Sequence, residues 1–404
     1  MAIAFQAPKS SSYDVVIIGG AMLGSSTAWF LSSNPDFKGK VLVVERDPTY
    51  EFAATSLTNS CIRQQFSAEL NVRVSQFGVD FIKNFKTYMG NDPRLPQPLI
   101  HSFGYLYLAD KPEFAASLKE VQQIQAACGA GTRHMSRDEI ATAYPFYYLD
   151  DIIAGNHNKI DEGYFDGGTL FDWWKRMARE NGVEYCSNEV VAMGKNAHGT
   201  RVETVTLSSG EIISCGTVVN ASGTRGNLTA NMAGIAIPIE ARKRYTYVFA
   251  AEKPLDRDLP LTIDPSGVTC RTDGMYYMAG GPPDDDPAVD QNDFDMDHSL
   301  WEQKIWPAVA TRIPQFEAVK VINAWVGHYD YNTLDQNAIL GPHSVISNFM
   351  FVNGFSGHGF QQAPAMGRGL SELITYGAYR TLDMTPFSFE RVERNEPFLE
   401  KAVI

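Results

Sequence analysis

No Cys-x-x-Cys pair occurs in the chain, and its five cysteines (Cys61, Cys128, Cys186, Cys215 and Cys270) are scattered and odd in number. That spacing does not support a zinc site, a disulfide framework or a dithiol reductase. Basic charge is also scarce: 34 Lys and Arg stand against 47 Asp and Glu, a net charge of −13. Proteins that hold nucleic acid or an anionic membrane present a basic surface to phosphates, so those partners are not expected here. A small anion in a local basic pocket remains compatible. The first thirteen residues carry one lysine and no apolar stretch, so no secretory leader is expected and the chain reads as cytoplasmic. One uncharged run long enough to span a bilayer, residues 15–35, is broken by Gly19, Gly20, Gly24, Ser25, Ser26 and Thr27, which suits a strand, turn and helix rather than a membrane span. Internal repeats and low-complexity tracts are missing as well. What is present, 404 residues of which 44% are apolar, is enough for two domains or one large compound domain.

The most informative stretch opens the chain. Asp14-Val15-Val16-Ile17-Ile18 is a β-branched run of the kind that fills a buried parallel strand. It enters Gly19-Gly20-Ala21-Met22-Leu23-Gly24, a GxGxxG arrangement with Ala21 at the second glycine, and a helix-like stretch follows from Ser25. The first glycine permits the tight turn, a small second residue lets the backbone approach a pyrophosphate, and Gly24 lets helix and strand pack closely. The helix N-terminus adds N–H donors and partial positive charge. A second strand, Val41–Val44, ends in Glu45-Arg46, where an acidic side chain accepts from a ribose hydroxyl. Strand, turn, helix, strand and terminal acid in register predict a dinucleotide site, without separating FAD from NAD.

Beyond it, apolar periodicity predicts helices over 70–88, 112–128, 298–312 and 365–379, and strands around 93–108, 203–220 and 243–280. Residues 284–297 hold seven aspartates but lack the mid-loop glycine and terminal glutamate of a calcium loop, so they read as a solvated loop with no metal.

Several longer stretches together resemble the FAD-dependent amine oxidoreductases of the D-amino-acid oxidase superfamily, most of all the branch of FAD-dependent oxidoreductase domain-containing proteins. They are Val15–Gly24, Cys61–Ser67 (CIRQQFS), Asp161–Asp166 continuing to Gly168, Trp325–Pro342 (WVGHYDYNTLDQNAILGP) and Gly354–Pro364 (GFSGHGFQQAP). The resemblance implies an α/β (α+β) fold in which a glutathione-reductase-like Rossmann FAD domain is interleaved with a substrate domain on a large mixed β-sheet. The FAD domain would take residues 1–90, 151–230 and 325–404, and the substrate domain 91–150 and 231–324. FAD, bound non-covalently, would lie extended along Gly19, Ala21, Met22, Leu23, Gly24, Glu45 and Arg46. Further contacts would come from Ser60, Cys61, Ile62, Val190, Ser222 and Gly223, and from the Gly357-His358-Gly359-Phe360-Gln361 turn at the flavin's pyrimidine edge. Fixed N–H donors there favour hydride acceptance, because reduction places negative charge at that edge.

Arg63 matches the family position that holds the substrate carboxylate, where a guanidinium grips bidentately and fixes which C–H faces the flavin. Arg271 and Tyr276 sit in sheet segments that line the substrate cavity in similar proteins, with plain strand roles as the competing reading. Tyr277, Tyr329 and Tyr331 are further candidates for the wall, and His358 is placed to reach substrate. Two departures stand out. Gln361 replaces the lysine that follows GHGF in sarcosine oxidases, and the lysine that promotes reaction with oxygen has no counterpart near Met278. The flavin-attaching cysteine of those oxidases would fall near Gly327-His328, hence the non-covalent FAD.

The implied reaction is oxidation of a small secondary amino acid, such as sarcosine, dimethylglycine or iminodiacetate. Hydride passes to flavin N5 and the imine is hydrolysed to an amine and an aldehyde or oxo acid. The partner is a carboxylate-bearing amine, and the electron acceptor is oxygen or a redox protein or quinone. A dicarboxylate would need a second cation, for which Arg242, Lys243, Arg244 and Arg271 are candidates. A 2-hydroxy-acid dehydrogenase and a non-catalytic flavin-loaded assembly protein fit the same residues.

Overall fold

A computed structural model describes residues 5–400. The β-branched opening run forms the strand Ser12–Ile18, flanked in parallel by Val41–Glu45 and Ile212–Asn220. Glu184–Ser187 extends the parallel set beyond Val41–Glu45, and Phe349–Asn353 joins the far side of Ile212–Asn220. Antiparallel strands complete this eight-stranded sheet. Both faces are covered, which is why its strands read as unbroken apolar runs. Val15, Ile17, Val41 and Val43 pack with residues of the helices Met22–Ser33, Gly167–Glu180 and Gly359–Tyr376. Val16, Ile18, Leu42 and Val44 join a second core with Val202, Val205 and Ile213.

A second, nine-stranded mixed sheet is built on two long antiparallel strands, Ile239–Ala251 and Val319–Asn332, in a register that sets Arg242 opposite Tyr329 and Arg244 opposite Gly327. Because side chains alternate along a strand, Tyr245, Tyr247 and Phe249 enter a core with Tyr277, Val309 and Phe316, while Arg244 and Thr246 turn to the other face. A small third sheet joins Cys61–Ile62, Ile100–His101 and Gly163–Phe165 and so pins the segment that carries Arg63.

Several boundaries differ from expectation. Ala154–Asn158 pairs with Tyr105–Ala109 and Arg133–Ser136, and Val319–Asn332 belongs to the same nine-stranded sheet. The helix expected over 70–88 divides at Asn84 into Glu69–Lys83 and Phe85–Tyr88. The stretch expected over 298–312 is a π-wound turn, Trp301–Ile305, running into Trp306–Arg312, with Pro307 unable to donate a backbone bond at the junction. The last long helix starts at Gly359, inside the glycine-rich turn, and stops where Gly377 adopts a left-handed conformation. Among the described residues no helix is long and apolar enough to cross a membrane.

Candidate active site

A cavity of about 860 Å³ runs between the two large sheets, near the top of the ~300–1,000 Å³ common for small-molecule sites. One end is the opening turn. Gly19 has φ +97°, and a Cβ there would stand 2.4 Å from the carbonyl oxygen of Ala221, so only glycine brings the two chain segments this close. Glu45 lines the same end; its carboxylate accepts from the backbone N–H groups of Gly20 (2.8 Å) and Asp47 (2.8 Å), and burial pushes its pKa up. Gly19, Ala21, Met22, Leu23, Arg46, Val190, Ser222 and Gly223 all line this half.

The other end is the Gly354–Gln361 segment. Gly357 (φ +95°) lies flat against the Tyr329 ring, where a Cβ would come within 2.4 Å of ring carbons. Two helices of 12 and 18 residues therefore begin at the cavity, one at each end. Their unsatisfied N–H groups and dipoles suit a molecule with anionic charge at both a central phosphate and one ring edge. A close-approach turn, a terminal acid, an elongated cavity and donors at both ends fit FAD. The family match decides it: the sequence profile for FAD dependent oxidoreductase (DAO) covers residues 14–373.

The chain belongs to this FAD-dependent oxidoreductase family. It is 36% identical to FAD-dependent oxidoreductase domain-containing protein 1 of Xenopus laevis, over 97% of this chain and 85% of that protein. It is 24% identical to mitochondrial sarcosine dehydrogenase of Homo sapiens, over 92% of this chain and 40% of that protein. Among solved structures it is similar to L-proline dehydrogenase from P. horikoshii, with a TM-score of 0.81, 26% identity, and coverage of 96% of this chain and 99% of that one.

Within the oxidoreductase's cavity, Arg63 stands beside the Gly357–Phe360 turn. It is almost fully buried. One guanidinium nitrogen donates to the Gln65 carbonyl oxygen, and the other meets His358 Nε2 at 3.0 Å. Its central carbon lies 4.1 Å from the Phe66 ring centroid and 5.7 Å from that of Tyr107. Burial, and then the neighbouring Arg63 charge, hold His358 well below the usual imidazole pKa. A guanidinium only donates, so His358 is neutral with Nε2 as the acceptor. His358 thus orients Arg63. Gln361 is part of the same framework: its Oε1 accepts from the Arg63 backbone N–H at 2.9 Å, so it anchors Arg63 rather than replacing the missing lysine as a cation.

The motif Asp161–Asp166, which carried no assigned role, supports the same segment. Glu162 is buried and accepts from Gln64 N (2.7 Å), Gln65 Nε2 (2.9 Å) and Asn158 Nδ2 (2.8 Å). Burial pushes its carboxyl up to about 7, against the pull of those donors.

Not every candidate reaches the cavity. Ser60, Cys61, Tyr329, Gly357, His358, Gly359, Phe360 and Gln361 line it; Ile62 is buried behind it, and Gly24 lies outside the wall, tucked against Gly19. Arg271 does not line it. Its guanidinium ends on Asn59 O (3.0 Å), Thr272 O (2.7 Å) and Asp273 (2.9 Å), bracing the loop that does. Tyr276 and Tyr277 are also off the wall. Tyr276 lies opposite Asp273 near a hairpin end, and Tyr277 sits in the core beyond the sheet. Tyr331 stacks under Arg242 instead.

The aspartate-rich segment is largely exposed, as expected of a solvated loop, but three of its carboxylates are paired. Asp284 pairs with Lys304 (2.7 Å), Asp286 with Arg242 and Arg244, and Asp293 with Lys243 (2.6 Å). Phe294 stacks on His328 at 4.2 Å, and Gln291, Asn292, Phe294 and Asp295 wall the cavity. Aspartate composition alone cannot reveal such pairing, since the partner cations lie 20 to 50 residues away. Among the described residues no three of His, Cys, Asp and Glu converge on a cation site. Tyr105 and Leu261, from the second sheet, also line the cavity and carried no sequence signal beyond strand character.

Proposed function

We propose that this oxidoreductase oxidises the C–N bond of a small secondary amino acid, an N-carboxymethyl amine of the sarcosine type, to an imine that hydrolyses to an amine and an aldehyde or oxo acid. The observation that carries the reading is Arg63: a buried guanidinium on the cavity wall, oriented by a neutral histidine from the flavin-end turn. FAD, when bound, supplies the hydride acceptor. Arg63 takes the substrate carboxylate and so fixes which C–H faces the Gly357–Phe360 end. The cavity wall, with Tyr105, Leu261 and Tyr329, excludes water from the reacting carbon. An amine bound unprotonated supplies its own lone pair, so no strong side-chain base is required, in keeping with the neutral His358. The sarcosine and L-proline dehydrogenases to which the chain is similar support a CH–NH donor.

Non-covalent cofactor binding is part of the proposal. Cys61 is the cavity-lining cysteine among the described residues, and burial pushes its thiol up, which disfavours the thiolate needed for attachment. Among the described residues no lysine lines the cavity, so a redox protein or quinone is favoured over oxygen as acceptor. Anaerobic titration of the yellow holoprotein with a panel of N-methyl amino acids, cyclic amino acids and 2-hydroxy acids tests the reading. Bleaching by amines alone is expected. Bleaching by hydroxy acids alone, or by nothing while FAD stays bound, refutes it.

A further inference from the structure

The flavin-end wall carries a second arginine. Arg244 lines the cavity, and its guanidinium carbon stacks over the Tyr329 ring at 4.6 Å. Tyr329 in turn touches Gly357, whose neighbour His358 orients Arg63. Arg244 and Arg63 therefore flank one tyrosine, and both pull its hydroxyl pKa down against burial. Two guanidiniums on one pocket are the expected kit for a dicarboxylate. Here the second is already occupied. Asp286 takes Arg244 with both carboxylate oxygens, at 2.6 and 3.1 Å, and also meets Arg242 at 3.3 Å. Arg242 is further matched by Glu240 at 2.9 Å. Of these four residues Arg244 alone lines the cavity, so its charge is balanced from behind the wall.

The backbone is bent to make this contact. Asp286 adopts φ +35°, a conformation L-residues other than Asn and Asp rarely take. The short strand Ala288–Val289 then pairs with Ala241 and Arg242, fixing the segment to the sheet edge just past Asp286. Strain of this kind persists where surrounding contacts over-determine it, and it gathers at sites with a task.

We propose that Asp286 is a specificity-determining residue that makes this site selective for monocarboxylates: from behind the wall it holds both forks of the Arg244 guanidinium and neutralises it, so a second substrate carboxylate finds no uncompensated cation there. The inference rests on the reading of Arg63 as the carboxylate ligand. The substrate's other end is uncharged, as in an N-methyl or cyclic secondary amino acid, and iminodiacetate is disfavoured. Discrimination of this sort comes from the repulsive group as much as from the attractive one.

The test uses the FAD-loaded holoprotein and two inert thioethers that differ by one carboxylate, (methylthio)acetate and thiodiacetate, with binding measured by calorimetry. Wild type is expected to bind the monocarboxylate at least about tenfold more tightly, since like charges brought together weaken a complex steeply. Asp286→Asn, which keeps the backbone conformation accessible, is expected to shift that ratio about tenfold or more towards the dicarboxylate. Adding Arg244→Met is expected to abolish the gain, which separates an exposed Arg244 from general loosening. An Asp286→Asn ratio equal to wild type, with the monocarboxylate bound normally, overturns this inference and leaves the Arg63 reading intact. Failure of either ligand to bind wild type or variant, with FAD retained, overturns both.

Discussion

Replacing Arg63 with methionine tests the site most directly. Methionine keeps an unbranched apolar stem against Phe66 and Tyr107 while deleting the charged fork, so packing is largely conserved and the change falls on recognition. Hydrogen bonds to charged groups contribute about 1.5–3 kcal/mol each, and a bidentate grip on a carboxylate loses two of them. The expected loss is therefore about 3–6 kcal/mol, or roughly a hundredfold to ten-thousandfold in substrate dissociation constant. His358 Nε2 also loses its donor, so the variant is expected to be less stable by about 1–3 kcal/mol. Arg63→Lys retains the charge without the fork and falls between the two. The assay is the anaerobic reduction of bound FAD at varied amine concentration, which separates the dissociation constant from the limiting rate, with FAD content measured on the same samples. A dissociation constant within about threefold of wild type, FAD being retained, would falsify the assignment.

Three further outcomes follow from the geometry. A Cβ at Gly24 would sit 1.9 Å from the Gly19 carbonyl oxygen, so Gly24→Ala must displace the opening turn; purified protein is expected to carry less than about a tenth of the normal FAD, and full occupancy by absorbance would contradict the turn's role. Arg271→Met breaks the ion pair of a buried guanidinium with the partly exposed Asp273, and two backbone contacts, but leaves the cavity wall in place. It is expected to lower stability by about 3–5 kcal/mol while the amine KM stays within about threefold; a large KM increase at unchanged stability would return Arg271 to the substrate site. For Glu162, whose carboxyl is raised from 4.5 to about 7, the folded state keeps a proton between those values that the unfolded chain has released. Its contribution to stability is thus full below about 4.5 and lost as pH rises through 7, an effect of up to about 3 kcal/mol. Glu162→Gln is expected to flatten that slope in urea titrations from pH 5 to 7.5, and parallel slopes for the two proteins would refute it.

The parts of the fold legible in the sequence are those made by neighbouring residues. Ser12–Ile18, its glycine turn, the following helix and Val41–Glu45 form one continuous unit, and turn chemistry with apolar run length specifies it locally. Arg63 was legible only through resemblance, since its partners Phe66 and His358 are three and 295 residues away. Arg271 shows how strand parity misleads. It shares a sheet face with Thr269, which does line the cavity, but two residues further along the guanidinium stops at Asn59, and that residue forms the wall in its place. Tyr276 fails similarly, since a hairpin end carries its side chain past the pocket.

Charge was the least legible property, and its arrangement governs the chemistry. A chain of net charge −13 would repel an anionic substrate if its carboxylates faced the cavity unpaired. Instead Asp286 and Asp293 are tied to Arg242, Lys243 and Arg244, and Glu45 accepts from two backbone N–H groups. These pairs consume the candidate second cations, while the side chain that meets Arg63 from the Gly357–Phe360 turn is the neutral His358. The 42 residues between Arg244 and Asp286 are joined by sheet register, which places Ala288 opposite Arg242. A one-residue slip of that pairing would carry Asp286 along the sheet edge and off Arg244. The proposed selectivity for one substrate carboxylate thus rests on strand register as much as on residue type.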